Sequence, residues 1–185
     1  MRKVHGYDEI GRVFTDYFTE ARNNIFKLGV LQGYVDEDNS SSWRAWEAGK
    51  GQESMQLVSD DARYKDWIQK RKESPATFTR VQVIEQPLSA YAAWQLALFA
   101  EFQRRGIEEA YSVESACLLG KVSLPKSDIL IFDNQRVLQW SYVPGSQGLV
   151  DGGTIWDVAA GDDIEQFLVL RQNVLDQARP LTVDR

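Results

Sequence analysis

The chain has 185 residues, a net charge of −6 and a hydrophobic fraction of 43%. This length is typical of one domain that can bury a core without disulfide or metal support. The acidic charge balance argues against a basic nucleic-acid-binding domain and against attraction to anionic membranes. A single cysteine, Cys117, excludes an internal disulfide, and no apolar leader follows the basic start of the chain. We therefore expect a cytoplasmic protein that neither binds nucleic acid directly nor spans a membrane.

The N-terminal part of the chain has mainly helical patterns. Val13 and Tyr17, like Phe14 and Phe18, are four residues apart, a spacing that puts each pair on one face of a helix. The predicted elements are a helix over 8–26, short strands within 25–35, a polar loop over 36–42, a short helix over 43–48, a surface loop over 49–58 and a helix over 60–72.

The C-terminal part mixes strand and helix patterns. Residues 78–84 alternate between apolar and polar side chains, which predicts a strand, and the apolar segment 90–105 predicts a buried helix. Further elements are strands over 106–113, 128–132, 137–143 and 149–158, and a last helix that begins near Gly161. Consecutive strands with short turns indicate the α+β class. We expect a mostly antiparallel sheet with a buried central helix and a C-terminal helix, preceded by a helical N-terminal region.

The same patterns predict a single domain over residues 1–185. Its mainly helical N-terminal part covers residues 1–75, and its α+β core covers residues 76–181.

Two motifs carry a family resemblance. Residues 80–91 (RVQVIEQPLSAY) and residues 128–137 (DILIFDNQRV) resemble an uncharacterised actinobacterial domain family that is often encoded beside helix-turn-helix regulators. The resemblance covers roughly residues 14–181. It implies a regulatory or partner-binding role and supplies no catalytic residues.

A weaker resemblance is to catalytically degenerate phospholipase-D-like sensor domains, through the hairpin around Asp133 and the terminal helix that follows it. The active enzymes need a histidine-x-lysine motif. The only histidine of the chain, His5, lies near the N-terminus outside such a motif. This resemblance therefore implies a fold without its chemistry.

Candidate catalytic groups do not form a coherent set. A cysteine nucleophile needs a histidine base, and Cys117 lies in an apolar stretch that predicts a buried, inert thiol. Acidic residues near predicted strand ends are common in turns, and nothing in the sequence pairs them for acid–base work. These carboxylates are Glu85, Asp128, Asp133, Asp151 and Asp157.

Neither a metal nor a cofactor is predicted. Residues 36–47 imitate a calcium loop faintly, but Ser41 stands where that loop needs glycine, and Arg44 would repel a cation. Residues 151–154 (DGGT) lack the spacing and the lysine of a phosphate loop, so a strand break or bulge is the better interpretation.

The leading hypothesis is a non-catalytic regulatory or protein-interaction module that acts with a helix-turn-helix transcription regulator. Its binding surface would include Trp43, Trp46 and Trp67, because tryptophan is enriched at interface hot spots. The oligomeric state is left open.

Two alternatives remain. In the first, a small-ligand or nucleotide sensor, Arg80, Tyr91 and Asp133 line a pocket between sheet and buried helix, and Arg80 pairs with Glu85 or Asp133 or presents its charge to a ligand. In the second, an enzyme such as a nuclease-like toxin uses the carboxylates of Asp128 and Asp133.

Overall fold

The computed structural model describes residues 1–33, 40–144, 146 and 148–181. The strands are β1 Arg2–His5, β2 Asn24–Gly29, β3 Thr77–Ile84, β4 Glu109–Glu114, β5 Ile129–Phe132, β6 Arg136–Tyr142, β7 Val150–Asp157 and β8 Arg179–Pro180. The helices are α1 Tyr7–Glu20, α2 Ser41–Glu47, α3 Gly51–Asp60, α4 Ala62–Glu73, α5 Ala90–Arg104, α6 Ser115–Leu118 and α7 Glu165–Leu175.

The strands found in the described part of the chain form one eight-stranded sheet in the order β1-β7-β6-β5-β2-β3-β4-β8. β2 pairs with β3, and β3 with β4, in parallel, while every other pair is antiparallel. The parallel pairs occur where helices connect consecutive strands, since a parallel partner requires a long crossover. The predicted α+β class with a mostly antiparallel sheet is confirmed.

Helices cover both faces of this sheet. Phe26 and Leu28 of β2 pack with Phe167 and Val174 of α7 on one face. Ile25 belongs to the cluster on the opposite face, which includes buried residues of α1. Because side chains alternate along a strand, Lys27 shares the face of Ile25. This second face is the one that α1, α4 and α5 cover.

Helix α5 is the predicted buried central helix. The Ser89 hydroxyl accepts a hydrogen bond from the Ala92 N–H and caps its N-terminus. Trp94 is 0% exposed, and its indole N–H donates to the Ser54 hydroxyl of α3 at 3.2 Å. None of the helices in the described ranges has the length and apolar character needed to cross a membrane.

The predicted surface loop over 49–58 is wrong, because this segment is α3. Its inward face contains Ser54 and Val58, which are both buried. The Ser54 hydroxyl donates to the carbonyl of Ser42 and accepts from the Trp94 indole, so a polar residue occupies a core position. Hydrophobic periodicity could not reveal a helix whose buried face is partly polar.

Two strands lie within the part predicted as mainly helical. The first helix ends at Glu20 instead of continuing to residue 26, because residues 24–29 pair with β3 and β5 as β2. β1 was not predicted and pairs with β7, where a Cβ on Gly152 would lie 2.3 Å from the Val4 carbonyl oxygen. The segment considered as a phosphate loop is therefore part of β7, and Asp151 lies at a register irregularity between the residues that pair with Ser141 and Tyr142, which agrees with the predicted strand break or bulge.

Candidate functional site

A cleft of about 390 Å³ opens on the sheet face that α4 and α5 cover. Small-molecule sites in proteins occupy about 300–1000 Å³ and are mostly apolar with a few placed polar groups. The cleft fits both criteria. Its aromatic lining residues are Tyr7, Tyr64, Trp67, Trp94, Phe99, Phe102 and Trp140, and its polar or charged ones are Lys27, Arg63, Arg80, Gln82 and Gln95.

Two cations lie side by side on the floor of the cleft. Lys27 on β2 is the register partner of Arg80 on β3. The Arg80 guanidinium donates from Nε and Nη2 to the two Glu108 carboxylate oxygens, at 2.8 and 3.1 Å. Its Cζ also lies 4.3 Å from the centre of the Phe99 ring. Because Glu108 uses both of its oxygens, this pair is a fully formed bidentate salt bridge.

Lys27 has a looser partner. Its Nζ lies 3.6 Å from Oδ2 of Asp128, whose residue is 1% exposed, and 6.0 Å from the centre of the Trp140 ring. The other Asp128 oxygen accepts the backbone N–H of Val30 at 2.9 Å. Burial lowers the pKa of the Lys27 ammonium, and the Asp128 carboxylate offsets part of that effect. The Lys27 side chain is 23% exposed, so its amino group is only partly buried at the cleft.

The walls come from the two helices above the sheet. Tyr64 and Trp67 project from α4 toward the sheet. Trp67 contacts Phe78 edge-to-face, with the two ring centres 5.7 Å apart. Gln95 of α5 donates to the Tyr91 hydroxyl at 3.4 Å, while its buried carbonyl oxygen has no partner among the described residues. Such an orphaned acceptor at the lining of a cleft is a position where a ligand or a water donor can bind.

The predicted tryptophan surface does not form. Trp43 is buried at 8% exposure, with its ring 5.3 Å from Tyr91 and 5.8 Å from Trp94. Trp46 lines a separate depression between α3 and α5, and Trp67 lines the cleft. Three tryptophans that look alike in the sequence therefore have three different environments.

The predicted pocket residues also separate. Arg80 lines the cleft, but Tyr91 is 8% exposed and packs into the α2–α5 core, outside the cleft lining. Asp133 lies at the β5–β6 turn, where its carboxylate accepts the backbone N–H groups of Arg22, Asn23 and Asn24 at 2.7–2.9 Å. Burial raises the pKa of Asp133, but these hydrogen bonds outweigh it and lower the pKa overall.

The predicted salt-bridge partner of Arg80 differs from the one in the structure. Its carboxylate partner is Glu108, which directly precedes β4, rather than Glu85 or Asp133. Parallel pairing of β3 with β4 brings Glu108 beside Arg80, and no sequence spacing encodes that pairing. Asp128 and Asp133 likewise flank opposite ends of β5, so they do not form a shared carboxylate pair.

The remaining sequence candidates lie away from the cleft. Cys117 is exposed on the short helix α6, so its predicted burial is wrong. This one-turn helix directs the thiol toward solvent and buries the neighbouring Leu118. His5 is exposed in β1. Residues 36–39 of the calcium-like segment lie outside the described residues. The described part of the chain contains no group of three or more His, Cys, Asp or Glu side chains that could hold a metal ion.

Lys27 and Glu108 were missed by the sequence interpretation. Lys27 interrupts the apolar run 25–28, and a lysine between buried neighbours of a strand is a signal that could have been noticed. Glu108 follows a helix-ending glycine and resembles an ordinary loop residue. Only its position against Arg80 shows its role.

Among solved structures, the chain resembles TrmBL2, an archaeal chromatin protein with a novel mode of DNA binding, at a TM-score of 0.52 and 11% identity. The likeness covers 97% of this chain and 52% of that chain, so this chain spans about half of its length. Phosphatidylserine synthase from Haemophilus influenzae Rd KW20 gives a TM-score of 0.45 and 12% identity, over 94% of this chain and 37% of that one. At these identities the TrmBL2 likeness shows a shared fold alone.

No curated protein matches the sequence. A family model matches residues 12–183, which is nearly the whole chain and includes every charged residue of the cleft. The resemblance to an uncharacterised domain family is confirmed at that level. The chain belongs to the family described as a domain of unknown function, DUF6879.

Proposed function

We propose that this protein binds a small organic molecule in the cleft and acts as a ligand sensor rather than as an enzyme. The observation that carries the proposal is the cleft itself: aromatic rings surround a floor in which Lys27 and Arg80 lie side by side. A ligand with a planar or apolar body can pack between Trp67 and Trp140 while polar groups on the floor orient it.

The charged groups of the floor support binding better than catalysis. Arg80 is held by two hydrogen bonds to Glu108, and the Asp128 carboxylate is engaged by Lys27 and by a backbone N–H. Groups fixed in this way position a ligand. A general acid or base instead needs a proton that it can exchange within reach of a substrate.

The first test uses N-phenyl-1-naphthylamine, a neutral dye that fluoresces when it enters an apolar site. We expect saturable binding of one dye per chain, with quenching of tryptophan emission. Trp140→Phe removes a tryptophan at the cleft and should reduce the quenched fraction, whereas Trp46→Phe, at the separate depression, should not. Dye binding that both variants leave unchanged would place it outside the cleft and refute the proposal.

A thermal-shift screen of metabolites then searches for the natural ligand. A compound at 100 times its dissociation constant stabilises the folded state by about 2.7 kcal/mol. For a chain of this size, each kcal/mol raises the melting temperature by about 2–4 °C, so a true ligand should shift it by about 5–10 °C. Trp140→Phe should reduce the shift of any compound that occupies the cleft.

The protein-interaction hypothesis is kept as a second proposal. Its support is that the chain shares its fold with about half of the DNA-binding protein TrmBL2, while its own net charge of −6 does not favour direct DNA binding. We propose that such a domain works beside a DNA-binding regulator and changes its affinity for DNA. Mixing the protein with a candidate regulator should give a complex in size-exclusion chromatography, and the absence of a complex, with and without cleft ligand, would contradict this.

A further inference from the structure

The charges that line the cleft have one sign. The charged residues among its described lining are Lys27, Arg63 and Arg80, and none of these lining residues is an aspartate or a glutamate. The chain as a whole has six more acidic than basic residues, so an all-cationic lining runs against its overall composition. A cleft lined by one sign of charge and apolar walls concentrates ligands of the opposite sign.

The buried cations on this side of the sheet outnumber the carboxylates that pair with them. Two carboxylates, Asp128 and Glu108, neutralise Lys27 and Arg80. Arg71 of α4 is a third cation at 5% exposure, and it forms no salt bridge with any carboxylate in the described part of the chain. Three cations therefore face two carboxylates, and the difference is one positive charge.

Arg71 is held without an anion. Its Nη2 donates to the Ala76 carbonyl at 3.1 Å, while its Nε and Nη1 are buried with no partner among the described residues. Its guanidinium lies over the Phe78 ring at 5.0 Å, and that of Arg80 lies over the same ring at 5.3 Å. Arg71 lies in the last turn of α4, where the helix dipole favours a cation, but this dipole does not supply a full negative charge.

Lys27 is the more loosely held of the two cations of the floor. An ammonium has three N–H donors, and the described contacts direct Lys27 toward Asp128 alone, at 3.6 Å. Glu108 neutralises Arg80 and takes two of its five N–H donors, and Arg63 at the rim pairs with Asp61. An anion that reaches the floor of the cleft can therefore pair with Lys27 without breaking a bidentate salt bridge.

We propose that the ligand is an aromatic anion, whose ring packs against Trp67 and Trp140 and whose carboxylate, sulfonate or phosphate group pairs with the Lys27 ammonium. This inference rests on the proposed function and specifies the chemical class of its ligand. The bound anion gives the Lys27 ammonium a second anionic partner besides Asp128.

The test compares two dyes that share one aromatic body. One is 8-anilinonaphthalene-1-sulfonate, and the other is N-phenyl-1-naphthylamine, which lacks the sulfonate. Fluorescence titration of the unmodified protein should show at least about tenfold tighter binding of the sulfonate, a difference of about 1.4 kcal/mol. Added sodium chloride should weaken the binding of the sulfonate dye and leave the affinity of the neutral dye unchanged.

A pair of variants locates the charge. Lys27→Met should reduce sulfonate affinity about tenfold and change that of the neutral dye less than twofold. Lys70→Met is the matched control, because it makes the same change on α4 at an exposed lysine paired with Asp66, and it should alter neither dye. Circular dichroism and urea unfolding establish that each variant is folded before its titration is interpreted.

The outcomes separate the two proposals. Equal affinity of the two dyes for the unmodified protein would overturn the anionic ligand and leave the cleft as a binding site for neutral compounds. A sulfonate preference that Lys27→Met keeps would also overturn it, because the charge would then lie elsewhere. If neither dye binds in the cleft, the proposed function itself fails. If Lys27→Met does not fold, equal affinity of the two dyes for the unmodified protein still overturns the anionic ligand.

Discussion

Replacement of Arg80 by methionine should be among the most destabilising single changes in this protein. The side chains of Arg80 and Glu108 are 10% and 0% exposed, and two hydrogen bonds join them. Arg80→Met removes both donors and leaves the Glu108 carboxylate buried without a counter-charge. Breaking a buried ion pair in this way costs about 3–5 kcal/mol. Loss of the contact with the Phe99 ring adds about 0.5–2 kcal/mol, which methionine packing partly restores.

Urea unfolding followed by circular dichroism measures this cost and, through a double-mutant cycle, its origin. Glu108→Leu should also destabilise the protein, because it leaves a buried guanidinium. The double variant Arg80→Met/Glu108→Leu should be more stable than either single variant, because neither member of the pair is left buried without the other. Arg104→Met removes a cation that pairs with Glu101 on the exposed side of α5, and it should leave the unfolding midpoint unchanged.

Two results would refute this reasoning. Additive effects in the cycle would mean that the two side chains do not interact in the folded state, contrary to their geometry. A loss below about 1 kcal/mol for Arg80→Met, with an unchanged denaturant slope, would mean that water reaches Glu108 and that the pair is not buried.

Three further substitutions test contacts that hold the sheet and α5 in place. Asp133→Asn keeps a side chain that tolerates the positive φ of 52°. It replaces the carboxylate that accepts hydrogen bonds from three backbone N–H groups by a neutral amide. Urea unfolding should therefore show a free energy of unfolding that is lower by about 1.5–3 kcal/mol. Because the pKa of Asp133 is lowered in the folded state, its contribution is complete above the unfolded pKa of about 3.9 and is lost as pH falls through the folded pKa. The gap between wild type and Asp133→Asn should therefore close on acidification, and a gap constant with pH would contradict this. Ser89→Ala removes the cap of α5 and should cost about 1 kcal/mol, whereas Ser89→Asp should restore most of the loss. Gly153→Ala would place a Cβ 2.6 Å from Ile10 Cδ1 and 2.7 Å from the Gln139 carbonyl oxygen, so thermal unfolding should show a loss of at least about 1–3 kcal/mol, and a neutral result would mean that β6 and β7 can separate at no cost.

The sequence by itself determined the elements whose signals are local. The alternation over residues 78–84 and the apolar run over residues 90–105 match β3 and α5 closely, and the turn signal at Asp133 marks the β5–β6 hairpin. The α+β class follows from the order of these elements, because each is specified by a repeat of two or 3.6 residues that a short window reveals. Where a buried face contains a polar residue, as at Ser54 in α3, the repeat is broken and the helix is missed.

Only the tertiary structure decided which side chains form the cleft. The register of β2 against β3 puts Lys27 beside Arg80, and the pairing of β3 with β4 supplies Glu108 as the partner of Arg80. The same packing buries Trp43 and leaves Trp67 at the cleft, although both are tryptophans on predicted helices. The partner of a buried charge depends on contacts between segments distant along the chain. No local pattern encodes such contacts, because a carboxylate at the matching register position of any neighbouring strand could form a salt bridge with the same arginine.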